Sequence, residues 1–172
     1  MIQEVNDKKI TVYTTGEGPG VKKSERIVDF PEPVEKLYGE EACEMARTYG
    51  LEYPEYVNSS FTSEDGKYAI VRFWDNSLTI YDTEENKVLN TIEDSYPVEW
   101  CLGTDATGYT YLLGYNGCYV LDKNMEPVAW ILDVREVDLQ NRIVYMESDD
   151  TYYEAPVYSV EELLQMAEEA EG

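Results

Sequence analysis

One short pattern occurs twice in the chain, about 40 residues apart, and it narrows the fold more than any composition figure. The first copy runs Gly66–Trp74, Asp75–Ser77, Leu78–Asp82, and the second runs Gly108–Tyr115, Asn116-Gly117, Cys118–Asp122. Each reads as strand, tight turn, strand and closing Asp. A further apolar strand follows in both, Lys87–Glu93 in one and Glu126–Asp133 in the other. A repeated unit of this length, made of small antiparallel strands, has the signature of a propeller blade.

The surrounding sequence agrees with a mainly β protein. From Asn58 to Pro156 turn chemistry recurs at short intervals, in Glu64-Asp65-Gly66, Glu84-Glu85-Asn86, Asp105–Gly108, Asn116-Gly117 and Leu139–Asn141. Asn116-Gly117 reads as a type I′ turn, whose two central residues both need positive φ. The 16 Tyr against 3 Phe suit half-exposed strands, since a tyrosine ring packs on a pleated surface while its hydroxyl reaches water. A third, shorter copy is read at Asn141–Ala155, a hairpin with no fourth strand. Two helices flank the repeats. One is predicted over Val34–Tyr49, where Leu37, Tyr38, Ala42, Met45 and Ala46 recur at helical spacing before Gly50. The other opens at Ser159, whose capping box with Glu162 precedes an apolar face of Val160, Leu163, Leu164 and Ala167. The expected organisation is therefore an N-terminal segment over 1–57, β repeats over 58–158 and a capping helix over 159–172.

The stretch Leu78–Asp82, Thr83–Lys87, Val88–Ile92 resembles WD40-type β-propeller repeats, in which an alternating strand ends in Trp-Asp or Tyr-Asp before a polar turn and a Lys-bearing strand. Tyr81-Asp82 stands at the dipeptide position, and Leu121-Asp122 keeps its Asp. The resemblance spans roughly residues 58–158 and implies propeller-blade sheets. The Gly-His element of those repeats is missing, and two and a half units are fewer than the four blades a closed ring needs. Three arrangements follow: part of a larger propeller, an open stack covered at its ends by the N-terminal segment and the last helix, or a sandwich with recurring hairpins. The pattern Tyr152–Leu164 is loosely similar to the end of bacterial proteins that join propeller-like repeats to a signalling or transporter domain.

Charge and composition exclude several functions. With 36 acidic and 13 basic residues the net charge is -23, a field that repels nucleic-acid phosphates and anionic membrane surfaces. The basic residues gather early (Lys8, Lys9, Lys22, Lys23, Arg26, Lys36, Arg47), and none follows Arg142, so the two ends can attract each other. Gly16–Ser24 looks like a phosphate-binding loop, but Val21 stands where a glycine must precede the lysine. Cys43, Cys101 and Cys118 form no paired framework and read as buried thiols. No apolar leader opens the sequence and no stretch is long enough to span a membrane. That implies a cytoplasmic place for a complete chain and allows an extracellular one for a piece of a longer protein.

Without histidine, Ser-His-Asp and Cys-His catalysis and His-containing zinc sites are out of reach. No cofactor is expected, and the acidic turns Asp82–Asn86 and Glu147–Asp150 do not match a calcium-binding EF-hand loop. The favoured function is non-catalytic recognition of a protein or peptide, or of further blades of a larger assembly. Its candidate surface is Trp74, Tyr81, Tyr115 and Tyr119, selected as aromatics near turns. One alternative is a carbohydrate-active hydrolase that uses Asp82 and Asp122 as paired carboxylates, with Trp74, Trp100 and Trp130 against the sugar. Another is a structural piece that completes a ring by homo-oligomerisation.

Overall fold

A computed structural model describes residues 2–5, 8–13, 20–158, 162, 165, 168 and 169. The chain opens with β1 (Ile2–Val5), β2 (Lys8–Tyr13), β3 (Lys22–Lys23), β4 (Leu37–Tyr38) and helix α1 (Gly39–Thr48). Two four-stranded meanders follow. The first is β5 (Val57–Thr62), β6 (Tyr68–Phe73), β7 (Leu78–Asp82) and β8 (Lys87–Ile92). The second is β9 (Trp100–Thr104), β10 (Thr110–Leu113), β11 (Gly117–Leu121) and β12 (Pro127–Leu132). A three-stranded meander closes the set, with β13 (Val134–Asp138), β14 (Ile143–Ser148) and β15 (Thr151–Pro156). The protein is mainly β, and its sheets are antiparallel except where β2 joins the outer edge of β12 in parallel.

The three sheets stack face to face in chain order. Phe61, Ile70, Leu78 and Ile80 of the first sheet meet Cys101, Leu112, Tyr119 and Trp130 of the second in one core. The opposite face of the second sheet sets Trp100, Tyr111, Cys118 and Val120 against Val134, Val144 and Met146 of the third. Being buried on both faces, β10 and β11 read as nearly continuous apolar runs instead of an alternation. Cys101 and Cys118 point into opposite cores, so they cannot pair, and all three cysteines are buried free thiols. Burial pushes the Cys101 thiol up to about 12.

The outer face of the first sheet is covered in part by α1. Small Ala42, Cys43 and Ala46 let the helix sit close on Val57, Ala69, Val71 and Tyr81. Glu40 and Glu41 lie in its first turn and Arg47 in its last, as the helix dipole favours. The helix is shorter than the apolar spacing predicted. Gly39 takes φ 57°, and the residues before it are extended, with Leu37 and Tyr38 pairing against β5. Tertiary strand pairing overrides the helical spacing there.

The segment from Lys22 to Tyr38 straps the stack together. Lys22 and Lys23 supply the fourth strand of the third sheet, which the sequence reading left without one. Arg26 lies over the Tyr145 ring and binds Glu136, crossing that sheet's outer face. Phe30 then stacks on Trp100, whose indole N–H donates to the Glu32 carbonyl, and Lys36 pairs with Glu99. The strap so passes β13, β9 and β5, the first strand of each sheet, of which β13 and β9 are edges. Covered edges do not recruit other strands.

Two turn expectations change. Asn116 and Gly117 both keep negative φ, so no type I′ turn forms. Gly117 instead starts β11, where a Cβ would lie 2.6 Å from the Trp130 ring. The third unit starts earlier than read, at Val134, directly after Asp133 turns the chain with φ 61°. Among the described residues α1 is the one continuous α-helix; the helix predicted from Ser159 falls mostly outside the described residues. Glu162 is described and accepts a hydrogen bond from Arg142 at 2.9 Å.

Candidate functional site

Several turns carry an aspartate that is engaged locally. Asp82 accepts the amides of Glu84 and Glu85, and Asp122 those of Asn124 and Glu126, all at 2.8–3.0 Å. The repeated closing Asp thus tightens the turn between the third and fourth strand of each meander. Asp65 and Asp105 do the same between the first and second strands. Asp105 is buried, and it accepts from the Thr107 amide and hydroxyl, the Tyr109 amide and the Tyr111 hydroxyl. Burial pushes its carboxyl up, but these donors win and hold it below the ordinary range.

The four predicted binding aromatics divide by burial. Tyr81 is 1% exposed and Tyr119 2%, so both are core residues and present no ring to a partner. Tyr81 packs beneath α1 and stacks on Tyr49 with ring centres 4.0 Å apart. Tyr119 packs edge-on to Trp130, and its hydroxyl oxygen accepts the Tyr96 amide. Trp74 and Tyr115 stand out at 69% and 58% exposed, while Trp100 and Trp130 are buried. Alternation along a strand could have separated these cases only with the sheet stacking known, because a middle strand is buried on both faces.

Trp74 and Tyr115 occupy equivalent turns, β6–β7 and β10–β11. Both turns abut the linker between the meanders: the Ser95 amide donates to the Asn76 carbonyl, and Gly114 lies against the Pro97 carbonyl. The Trp74 amide in turn donates to the Tyr56 carbonyl, and Tyr56 neighbours Tyr53 with rings 6.0 Å apart. Exposed Tyr53, Tyr56, Trp74, Tyr96 and Tyr115 are therefore strung along one end of the first two sheets. The sequence reading missed Tyr53, Tyr56 and Tyr96. Pro54 beside two tyrosines was the available signal, as the start of the 3-10 turn Pro54–Tyr56.

An open groove of about 1320 Å³ lies at this end, on the part of the first sheet's outer face that α1 leaves bare. Its floor is Phe73, Thr79, Val88 and Thr91, the two threonines bonding each other at 2.9 Å. Tyr53, Tyr56 and Trp74 line it as well, with the Trp74 backbone bonded to that of Tyr56. Four carboxyl residues, Glu52, Asp75, Glu93 and Asp94, line it, and no lining residue is Lys or Arg. The Ser77 hydroxyl and amide hold Asp75 below the ordinary carboxylate range, so it is charged at neutral pH.

Among the described residues no group of three or more Cys, Asp or Glu is placed to hold a metal ion, and no helix is long and apolar enough to cross a membrane.

No protein-family model and no curated protein matches the chain. Among solved structures it is similar to Hsv2, a β-propeller protein, in "KlHsv2 with loop 6CD replaced by a Gly-Ser linker" and "Kluyveromyces lactis Hsv2 complete loop 6CD". Identity is 14% in both, with TM-scores of 0.35 and 0.34. The match covers 54% of this chain but only 32% and 30% of those chains, about a third of their length.

Proposed function

We propose that the protein is a non-catalytic recognition module that binds a protein or peptide on the aromatic end of its sheet stack. The observation that carries this reading is the string of exposed rings from Tyr53 through Trp74 to Tyr115, on turns held by a rigid β scaffold. Aromatic side chains supply large contact area at low entropic cost, and they are enriched in binding surfaces. Turns on a sheet scaffold are where binding side chains are displayed. The aspartates favour binding over hydrolysis: Asp82 and Asp122 each have a carboxylate oxygen taken up by two turn amides. The acidic field points to a polypeptide partner and away from nucleic acid.

Display of a random peptide library against the immobilised protein tests this. The expected result is a consensus sequence whose synthetic peptide binds with a dissociation constant below about 100 μM, and whose binding weakens in Trp74→Ala or Tyr115→Ala. Turnover of a panel of nitrophenyl glycosides, with no peptide enriched, would replace recognition with the hydrolytic reading.

A further inference from the structure

We infer that the groove beside α1 binds a Lys- or Arg-bearing segment of a partner polypeptide, laid across the bare outer face of β6–β8. This rests on the recognition reading above and names the chemistry of its ligand. Three features of the groove converge. Its floor is an uncharged sheet face, with half-buried Phe73 and exposed Val88 flanking the Thr79–Thr91 pair. A floor of this kind takes the apolar stem of a lysine or arginine side chain. Its walls present Tyr53, Tyr56 and Trp74 at 63%, 58% and 69% exposure, rings over which a cation is attracted. Its rim is purely acidic in charge, with Glu52, Asp75, Glu93 and Asp94 lining it and no basic residue among them. A basic occupant complements that rim, and an acidic one is repelled by it.

The chain itself shows the first sheet's outer face to be a docking face. Over α1 that face is covered by a helix, whose last turn ends where the groove begins at Gly50 and Leu51. Arg47, at the end of that helix, is engaged by Glu40 and Glu44 and so does not neutralise the rim. Elsewhere the same chain already pairs a basic group with an aromatic ring and a carboxylate together: Arg26 lies 4.6 Å from the Tyr145 ring centre while binding Glu136. The groove sets aromatic rings beside carboxylates in the same way.

The test uses isothermal titration of the whole protein with two capped nonapeptides, one alternating Arg and Ser and one alternating Glu and Ser. The Arg-Ser peptide is expected to bind saturably and the Glu-Ser peptide not to bind. Trp74→Ala, and separately the pair Glu52→Gln with Asp94→Asn, should weaken binding about tenfold or more. Asn suits position 94 because Asp94 has φ 47°, which Asn tolerates. The pair Glu41→Gln with Glu64→Gln removes equal charge from exposed positions outside the groove and should leave binding unchanged. Equal weakening by both pairs would mean that only the net charge attracts the peptide, and would overturn the proposal. Absence of saturable Arg-Ser binding would also overturn it. In that case a non-basic consensus from the display experiment would leave the recognition reading standing, and no consensus at all would remove both.

Discussion

Asp105 shows how one side chain can organise a turn and a core at once. Its carboxylate collects four donors, and the Tyr111 hydroxyl among them approaches to 2.7 Å in the second sheet's interior. Burial and the neighbouring carboxylate push the Tyr111 phenol well up, so it stays a donor at any ordinary pH. Replacing Asp105 by Ala leaves that hydroxyl buried without its acceptor, and should cost about 1–3 kcal/mol in urea unfolding. Tyr111→Phe keeps three donors on the carboxylate and should cost less than Asp105→Ala; a larger loss would show that the Tyr111 hydroxyl, and not the turn amides, is the main partner of the carboxylate. The linkage sign follows from the lowered carboxyl. The unfolded chain protonates near the ordinary 3.8 while the folded one protonates lower, so the contribution is complete above about pH 4 and disappears as the pH falls through the folded value. Acid unfolding monitored by tryptophan fluorescence should therefore shift to higher pH in Tyr111→Phe. From sequence, Asp105 reads only as turn chemistry, because its partner Tyr111 lies on the neighbouring strand and meets it only in the folded hairpin.

Among the elements, close approach at two glycines sets the packing of the second meander. A Cβ at Gly114 would lie 2.1 Å from the Pro97 carbonyl oxygen, and one at Gly117 would lie 2.6 Å from the Trp130 ring. Backbone cannot retreat from backbone without moving the linker on Ser95. Gly114→Ala should accordingly cost about 2–4 kcal/mol in chemical denaturation, and Gly66→Ala less, since nothing lies within 4 Å of its Cβ and the cost there is only its φ of 75°. Equal losses at the two would mean that conformational freedom, not contact, controls both. The repeat made these strands legible, with Tyr68–Asp82 and Tyr109–Asp122 falling within or beside observed strands. It misplaced the turn between β10 and β11. Asn-Gly favours a type I′ turn in an isolated hairpin, but here Gly117 is needed as a small residue under Trp130. The helix start was misread for a like reason. Leu37 and Tyr38 keep helical spacing, yet they pair with Ser60 and Ser59 of β5.

For the whole molecule the question is how a stack of three sheets manages its edges. The strap from Lys22 to Tyr38 covers β13 and β9 through Arg26, Phe30, Glu32 and Lys36, and β4 covers β5. Phe30→Ala removes a ring stacked on Trp100 and set edge-on to Tyr115, and should cost about 1–3 kcal/mol of stability. Deletion of residues 1–38 should expose the covered edges and give concentration-dependent self-association in light scattering. A deletion variant that stays monomeric with unchanged circular dichroism would show that the edges need no cover. Local sequence alone determined the β class, the hairpin repeat, the turn aspartates and the unpaired thiols, because each follows from alternation, turn residues or composition within a few positions. Tertiary structure decided which aromatics face water, that Lys22 and Lys23 complete a sheet 130 residues later in the chain at Tyr153 and Glu154, and that α1 leaves a groove beside it. Those outcomes depend on which sheet faces are stacked against each other, and an apolar face reads the same along a strand whether another sheet or a helix covers it.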